Sequence, residues 1–196
     1  MNINLQFIYF ATSVIHLEEN EWKQMIEKNL EKINSKPIGS ILLERLKVFM
    51  DLGYMITISN VDPKSDSVIY PKIKYESYNS VLMVIPNVPY FINVETKDNN
   101  MERMPGFISL AHELIHCLRH FEGITSENFE EEATIGINNN KAYFYKRNNH
   151  TITENSIRKE HNMNKRISHI SEELYCYKLQ RTYKNASQFS KMDFFY

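Results

Sequence analysis

Two cysteines, Cys117 and Cys176, are too few among 196 residues to make a disulfide framework, so a reducing working environment is expected. Five glycines and six prolines exclude a collagen-like or linker-like chain. No apolar run approaches the roughly 18 residues of a membrane span, so no membrane partner is expected. The opening segment holds the short apolar run from Leu5 to Phe10 but neither a basic n-region nor a small-residue cleavage site. A general secretory signal is therefore not expected, while specialised secretion systems stay open because their signals need not look like this. Charge of one sign is not in excess either. With 23 basic against 24 acidic side chains the net charge is −1, which argues against a dedicated nucleic-acid binder.

What is present points to a compact fold. The chain is 42% hydrophobic and 12% aromatic, enough bulk to bury a sizeable core. Residues 1–38 read as an N-terminal segment with a first helix and 39–196 as the main domain, most simply a monomer and one unit overall. Charge is uneven along it. Residues 1–140 carry 12 basic and 19 acidic groups, net −7, and residues 141–196 carry 11 and 5, net +6, so the basic end is expected to dock on the acidic part or, as the second reading, to meet an acidic partner or substrate.

Apolar spacing predicts helices over 21–33 and 40–50, a strand over 54–59, loop over 60–80, and strands over 81–85 and 90–94. After a polar, turn-rich stretch over 97–105, an apolar helix is predicted over 106–121 and another over 127–137, stopped by Gly136 and the asparagines after it. A short strand over 142–145 and helices over 154–161 and 172–184, capped by Thr153 and Ser171, complete an α+β order.

One motif carries chemistry. His112-Glu113-Leu114-Ile115-His116 places two imidazoles four residues apart, on one helix face, where both can reach a single metal ion. Zinc held this way lowers the pKa of a bound water, and the adjacent Glu113 carboxylate can take that proton and return it to a leaving amine. Such a pattern arises by accident in about 2% of shuffled chains of this composition. Its apolar neighbours Leu110, Ala111, Leu114, Ile115 and Leu118 add the buried wall a metal site needs.

Catalytic zinc usually takes three protein ligands. His120 continues the stripe but lies eight residues from His112, about 12 Å along a straight helix, too far to share one ion. Arg119 and Glu122 stand where a metzincin would carry glycine and histidine, which excludes that class. The carboxylates Glu130, Glu131 and Glu132 remain, pointing about 100° apart, so one of the three can face the metal. Cys117 lies about 100° around the helix from His116 and is expected to pack. His16, His150 and His161 read as surface residues, and Phe189, Phe194, Phe195 and Tyr196 as core or docking residues.

The segment 108–123 with HELIH, together with Glu131-Glu132-Ala133-Thr134-Ile135-Gly136, resembles the ligand segments of gluzincins such as clostridial neurotoxin light chains. Closer is the resemblance to the NleD-like type III effector zinc metallopeptidases, carried also by Thr153-Glu154-Asn155-Ser156-Ile157-Arg158 and by Arg166-Ile167-Ser168-His169. The resemblance implies a zincin-like catalytic domain over 39–196, with a small mixed sheet packed on the HExxH helix. It implies Zn²⁺ bound by His112, His116 and Glu131, and Glu113 as general base. It also implies an oxyanion-stabilising pair at Arg166 and residue 169, where the family tyrosine is replaced by His169. As partner it implies a protein substrate in the host cytoplasm, mitogen-activated protein kinases being the family's targets.

An extended substrate is expected to lie on the edge of whichever strand is nearest the metal helix, 81–85 or 90–94. Two other readings use the same residues: the toxin domain of another delivery system, and a non-catalytic binding module whose zinc is closed off by a fourth ligand such as His120 or Glu130.

Overall fold

The computed structural model describes residues 5–10, 17–61, 71–87, 90–97, 100–126, 129–137 and 152–175; the expected strand at 142–145, His16, His150, Cys176 and the late aromatic residues lie outside them. Within these residues the chain is mixed α+β, with five helices and two small sheets.

Strand β1 (Gln6–Ile8) is followed by α1 (Glu19–Asn34), α2 (Pro37–Asp51), β2 (Met55–Ser59), β3 (Lys72–Ser77) and β4 (Ser80–Val84). Their sheet has the order β1-β2-β4-β3, parallel except for the antiparallel pairing of β3 with β4. A second, antiparallel sheet places β5 (Tyr90–Thr96) between β6 (Asn100–Arg103) and β7 (Arg166–Tyr175). Between β6 and β7 run α3 (Gly106–Phe121), α4 (Glu130–Ile135) and α5 (Glu154–Glu160).

Helix α3 is the centre of the molecule. All of it is buried except Gly106, Phe107 and His120, so it has no solvated face, as expected of a helix enclosed by other elements. Leu114, Ile115 and Leu118 join one core with Trp22, Met25 and Ile26 of α1, Leu42 and Leu46 of α2, and Val81 and Met83 of β4. The indole of Trp22 donates to Ile85 O at 2.9 Å, tying α1 to the end of the first sheet. Pro37 opens α2, and Glu160 of α5 accepts from the free N–H groups of Ile38 and Gly39 at 2.8 and 2.9 Å. Gly39 is required here because a Cβ would meet Ile33 O at 2.0 Å.

Four expectations need correction. The stretch 60–80 contains β3, whose Lys72-Ile73-Lys74-Tyr75-Glu76 alternation is that of an edge strand with charges outward. The stretch 97–105 contains the short strand β6, held by pairing to β5. Residues 172–175 are strand, because pairing with β5 overrides the helix-capping preference of Ser171. Finally, β4 and β5 each have a neighbour on both sides, so neither presents an edge; beside α3 the edge strand is β3.

Gly136 ends α4 with φ +81°, and a Cβ on it would lie 2.6 Å from Thr153 Oγ1. Thr153 is the N-cap of α5, accepting from Ser156 N at 3.1 Å. Gly136→Ala is therefore expected to destabilise the fold by at least about 2 kcal/mol. Urea unfolding tests this; an unchanged midpoint would disprove it.

Candidate metal centre and active site

His112 and His116, one turn apart on α3, direct their Nε2 atoms toward each other at 3.1 Å. Glu131 reaches both from α4, its carboxylate oxygens 3.1 Å from His112 Nε2 and 3.4 Å from His116 Nε2. The neighbouring acids diverge as helical geometry requires: Glu130 turns to the far side of His116, and Glu132 takes no part in the cluster.

The opposite ring nitrogens are held by other partners. His112 Nδ1 lies 2.9 Å from Glu154 Oε2. His116 Nδ1 lies 3.3 Å from Glu130 Oε1 and 3.3 Å from Thr134 Oγ1. Each ring thus has a carboxylate, which accepts and cannot donate, facing both of its nitrogens. With a cation at the point where the Nε2 atoms and the Glu131 carboxylate converge, the ring protons would sit on Nδ1, turned to Glu154 and Glu130, and both Nε2 lone pairs would be free for the ion. Tetrahedral bonds of about 2.1 Å put ligand atoms about 3.4 Å apart, close to the separations found here. The residues fit a divalent metal ion. His112, Glu113 and His116 are all buried while the Glu131 side chain is 40% exposed, so the cluster opens to solvent on one side.

Behind the histidines lies a buried charge cluster. Glu154 is fully buried and accepts from Arg158 Nε at 2.6 Å and Arg166 Nη1 at 3.2 Å besides facing His112. On the other side Arg119 donates to Glu130 from Nε at 2.7 Å and Nη2 at 3.1 Å. Carboxylates that fix the non-ligating nitrogen of a metal-binding histidine set its tautomer and orientation.

Without a metal, these contacts shift the titrations. Burial alone would lower the pKa of His112, but hydrogen bonds to Glu131 and Glu154 push it up to about 10. His116 is raised likewise, by Glu130 and Glu131 against burial. Burial opposes the ionisation of Glu130 and Glu154, yet hydrogen bonds to the histidines and the nearby guanidinium groups bring both down to about 2. Burial pushes the Glu113 carboxyl up, against the pull of the two imidazoles.

Raised histidines stabilise the fold below their unfolded value near 6.5, and that contribution is lost as pH rises above it, for His112 as pH climbs through about 10. Lowered carboxylates stabilise it above 4.5, and theirs is lost as pH falls through 2. The metal-stripped protein is expected to be most stable between about pH 4.5 and 6.5. A metal displaces the His112 proton, so the loaded protein should keep its stability on the alkaline side. Thermal unfolding against pH checks both arms; an alkaline decline shared by the loaded protein would contradict the account.

The sequence profile of the peptidase M91 family, described as effector proteins, matches residues 11–169, which span the whole site. The chain belongs to the peptidase M91 effector family. This bears out the resemblance to NleD-like effector metallopeptidases. No curated protein sequence matches the chain.

Within the M91 fold, His112, His116 and Glu131 are brought together as a group able to hold a metal, and Glu113 is buried on the same helix, its ionisation coupled to both histidines. Arg166 is 5% exposed and engaged by Glu154 and by Ser168 O at 2.9 Å. The His169 side chain lies outside the described residues, although its backbone is in β7. Thr96 pairs with Arg166 and Val94 with Ser171, so residues 167–170 bulge out of register. Strand alternation therefore does not fix the direction of residue 169.

His120 leaves the stripe, taking Ser77 O at 2.7 Å and stacking on Tyr75 with ring centroids 4.4 Å apart. Cys117 is fully buried, as expected of a packing residue. His161 departs from the surface reading, packing on Phe107 at 4.8 Å.

Sequence reasoning missed the roles of Glu130, Arg119, Thr134, Glu154, Arg158 and Tyr75. Arg119, Thr134, Glu154 and Arg158 stood inside family-like segments, but nothing local marked what they would touch. Glu130 and Tyr75 stood outside them, and Tyr75 comes from a strand read as loop. Its phenol is held protonated by burial and by the negative field of Glu130, Glu113 and Glu131, which places the edge strand within electrostatic reach of the cluster.

Proposed function

We propose that this M91 peptidase is a zinc-dependent endopeptidase of zincin-like fold, a bacterial effector released by a specialised secretion system into the host cytoplasm. The observation that carries the reading is the convergence of two imidazole Nε2 atoms and the Glu131 carboxylate on one point, with Glu113 between them in sequence. A zinc ion bound there would polarise a scissile carbonyl and make a coordinated solvent molecule acidic enough to attack it. Glu113 takes the proton from the attacking solvent and passes it to the leaving nitrogen; its raised pKa suits a group that must both accept and give back. Arg166, anchored by Glu154, is the cation for the oxyanion, with His169 in the place of the family tyrosine.

The substrate lies along β3. That strand is the sheet edge beside α3, and Tyr75 on it stacks against the metal helix at His120. An extended peptide paired to β3 crosses the open side of the cluster with its backbone held straight. Catalysis resides in 39–196, and α1 packs onto that part through Trp22 and Ile26. A host signalling kinase is the substrate class that the family resemblance suggests. The non-catalytic alternative needs a fourth ligand, but His120 is bonded to Ser77 O and Glu130 faces the Nδ1 side of His116, away from the convergence point.

Metal analysis tests the proposal. One equivalent of zinc is expected in the wild-type protein, with a loss of at least tenfold in affinity in both His116→Ala and Glu131→Ala. Retention of wild-type zinc by Glu131→Ala would remove it as the third ligand, and absence of zinc from the wild type would end the metallopeptidase reading.

A further inference from the structure

We propose that Arg119 is a positioning residue for the metal site: it fastens the connection between α3 and α4 and thereby sets where Glu131 meets the two histidines. The proposal rests on the reading of His112, His116 and Glu131 as metal ligands. Those ligands come from two helices, so their geometry is only as well defined as the chain between them. Helix α4 does little to hold itself. It has six residues, Phe129 at its N-cap makes no side-chain cap, and its first turn carries Glu130, Glu131 and Glu132 side by side. A helix this short is not stable on its own.

Arg119 supplies what α4 lacks. Its residue is 2% exposed, and its guanidinium meets Glu130 as a fork, Nε to Oε1 at 2.7 Å and Nη2 to Oε2 at 3.1 Å. The same Nη2 donates to Ile124 O at 3.2 Å, while Ile124 N donates back to Arg119 O at 3.0 Å. Ser126 N closes the circle by donating to Glu130 Oε2 at 2.9 Å. One side chain thus holds the start of the connection at Ile124 and its end at Glu130, and it neutralises one of three adjacent carboxylates.

Glu130 immediately precedes Glu131, so fixing its side chain fixes the backbone from which the metal ligand springs. Its Oε1 also faces His116 Nδ1 at 3.3 Å and accepts from Thr134 Oγ1 at 3.4 Å. Through this single carboxylate Arg119 acts on two of the three ligands. The fork is what matters: lysine would keep the charge but offers a point donor that cannot span both oxygens and Ile124 O.

The test is zinc affinity by chelator competition together with the visible spectrum of the cobalt-substituted protein, both on the full chain. Arg119→Met and Arg119→Lys are each expected to weaken zinc binding about 10- to 100-fold and to move the cobalt bands toward those of Glu131→Ala. Glu130→Gln, nearly isosteric, should weaken it about tenfold, and combining it with Arg119→Met should add little because both act through one contact. Wild-type affinity and an unchanged cobalt spectrum in the Arg119 variants would overturn the proposal, as would full rescue by lysine. If Arg119→Met does not fold, Glu130→Gln decides: wild-type zinc affinity in that variant overturns it. A wild-type chain that binds neither metal would instead overturn the metal-site reading on which it rests.

Discussion

Glu113→Gln should lower the rate of substrate cleavage by about a thousandfold or more while zinc content stays at the wild-type level. The amide keeps the size of the carboxylate, so the packing of α3 is preserved, but it cannot accept a proton near neutral pH. Glu113 is 8% exposed and lies between two buried histidines in sequence. Burial raises its pKa, bringing it toward the range in which a carboxyl group both takes and returns a proton. Cleavage of a protein substrate, scored alongside metal content, separates the possible results. Full activity in the variant would remove Glu113 as the general base. Loss of activity with loss of zinc would mean that the substitution acts through the metal site instead.

Glu154→Ala is expected to destabilise the protein by about 3–5 kcal/mol and to weaken zinc binding about 10- to 100-fold. Glu154 is fully buried, and three cationic or hydrogen-bonding groups converge on its carboxylate: Arg158, Arg166 and His112. Its removal takes the carboxylate from the fully buried Arg158 guanidinium and one ion pair from Arg166, the kind of loss that costs far more than the pair itself contributes. It also removes the acceptor that keeps the His112 proton on Nδ1 and its Nε2 facing the metal position. In a chain of this length the stability loss corresponds to a fall in Tm of roughly 10 °C. Glu154→Gln should lie between, since the amide oxygen still accepts from His112 but carries no charge for the arginines. Equal stability and equal zinc affinity in wild type and Glu154→Ala would show that this cluster neither holds the fold nor orients the ligand.

These two residues mark how far local sequence reaches. Glu113 is legible because it sits inside a pattern whose meaning is helical: residues four apart share a face, and the apolar residues around them bury that face. The bounds of the central helix follow from the same periodicity, and the segment predicted over 106–121 is α3 itself. Thr153 as the cap of α5 and Gly136 as the stop of α4 were equally local, one a side-chain bond to a backbone N–H, the other a positive φ. Ser171 shows the limit. Its capping preference is worth about 1 kcal/mol, and the ladder between β5 and β7 outweighs it.

The sequence by itself determined the pair of histidines, the carboxylate between them and the apolar helix that carries all three, because each depends on spacing within one turn or two. Only the tertiary structure decided which of three adjacent glutamates turns to the facing nitrogens of the two histidines, that Glu154 and Glu130 hold the outer nitrogens of the two rings, and that the sheet edge beside α3 belongs to β3. Those outcomes join residues 14 to 42 positions apart, and contacts at such separation are fixed by how helices and sheets pack on one core, which no local pattern encodes.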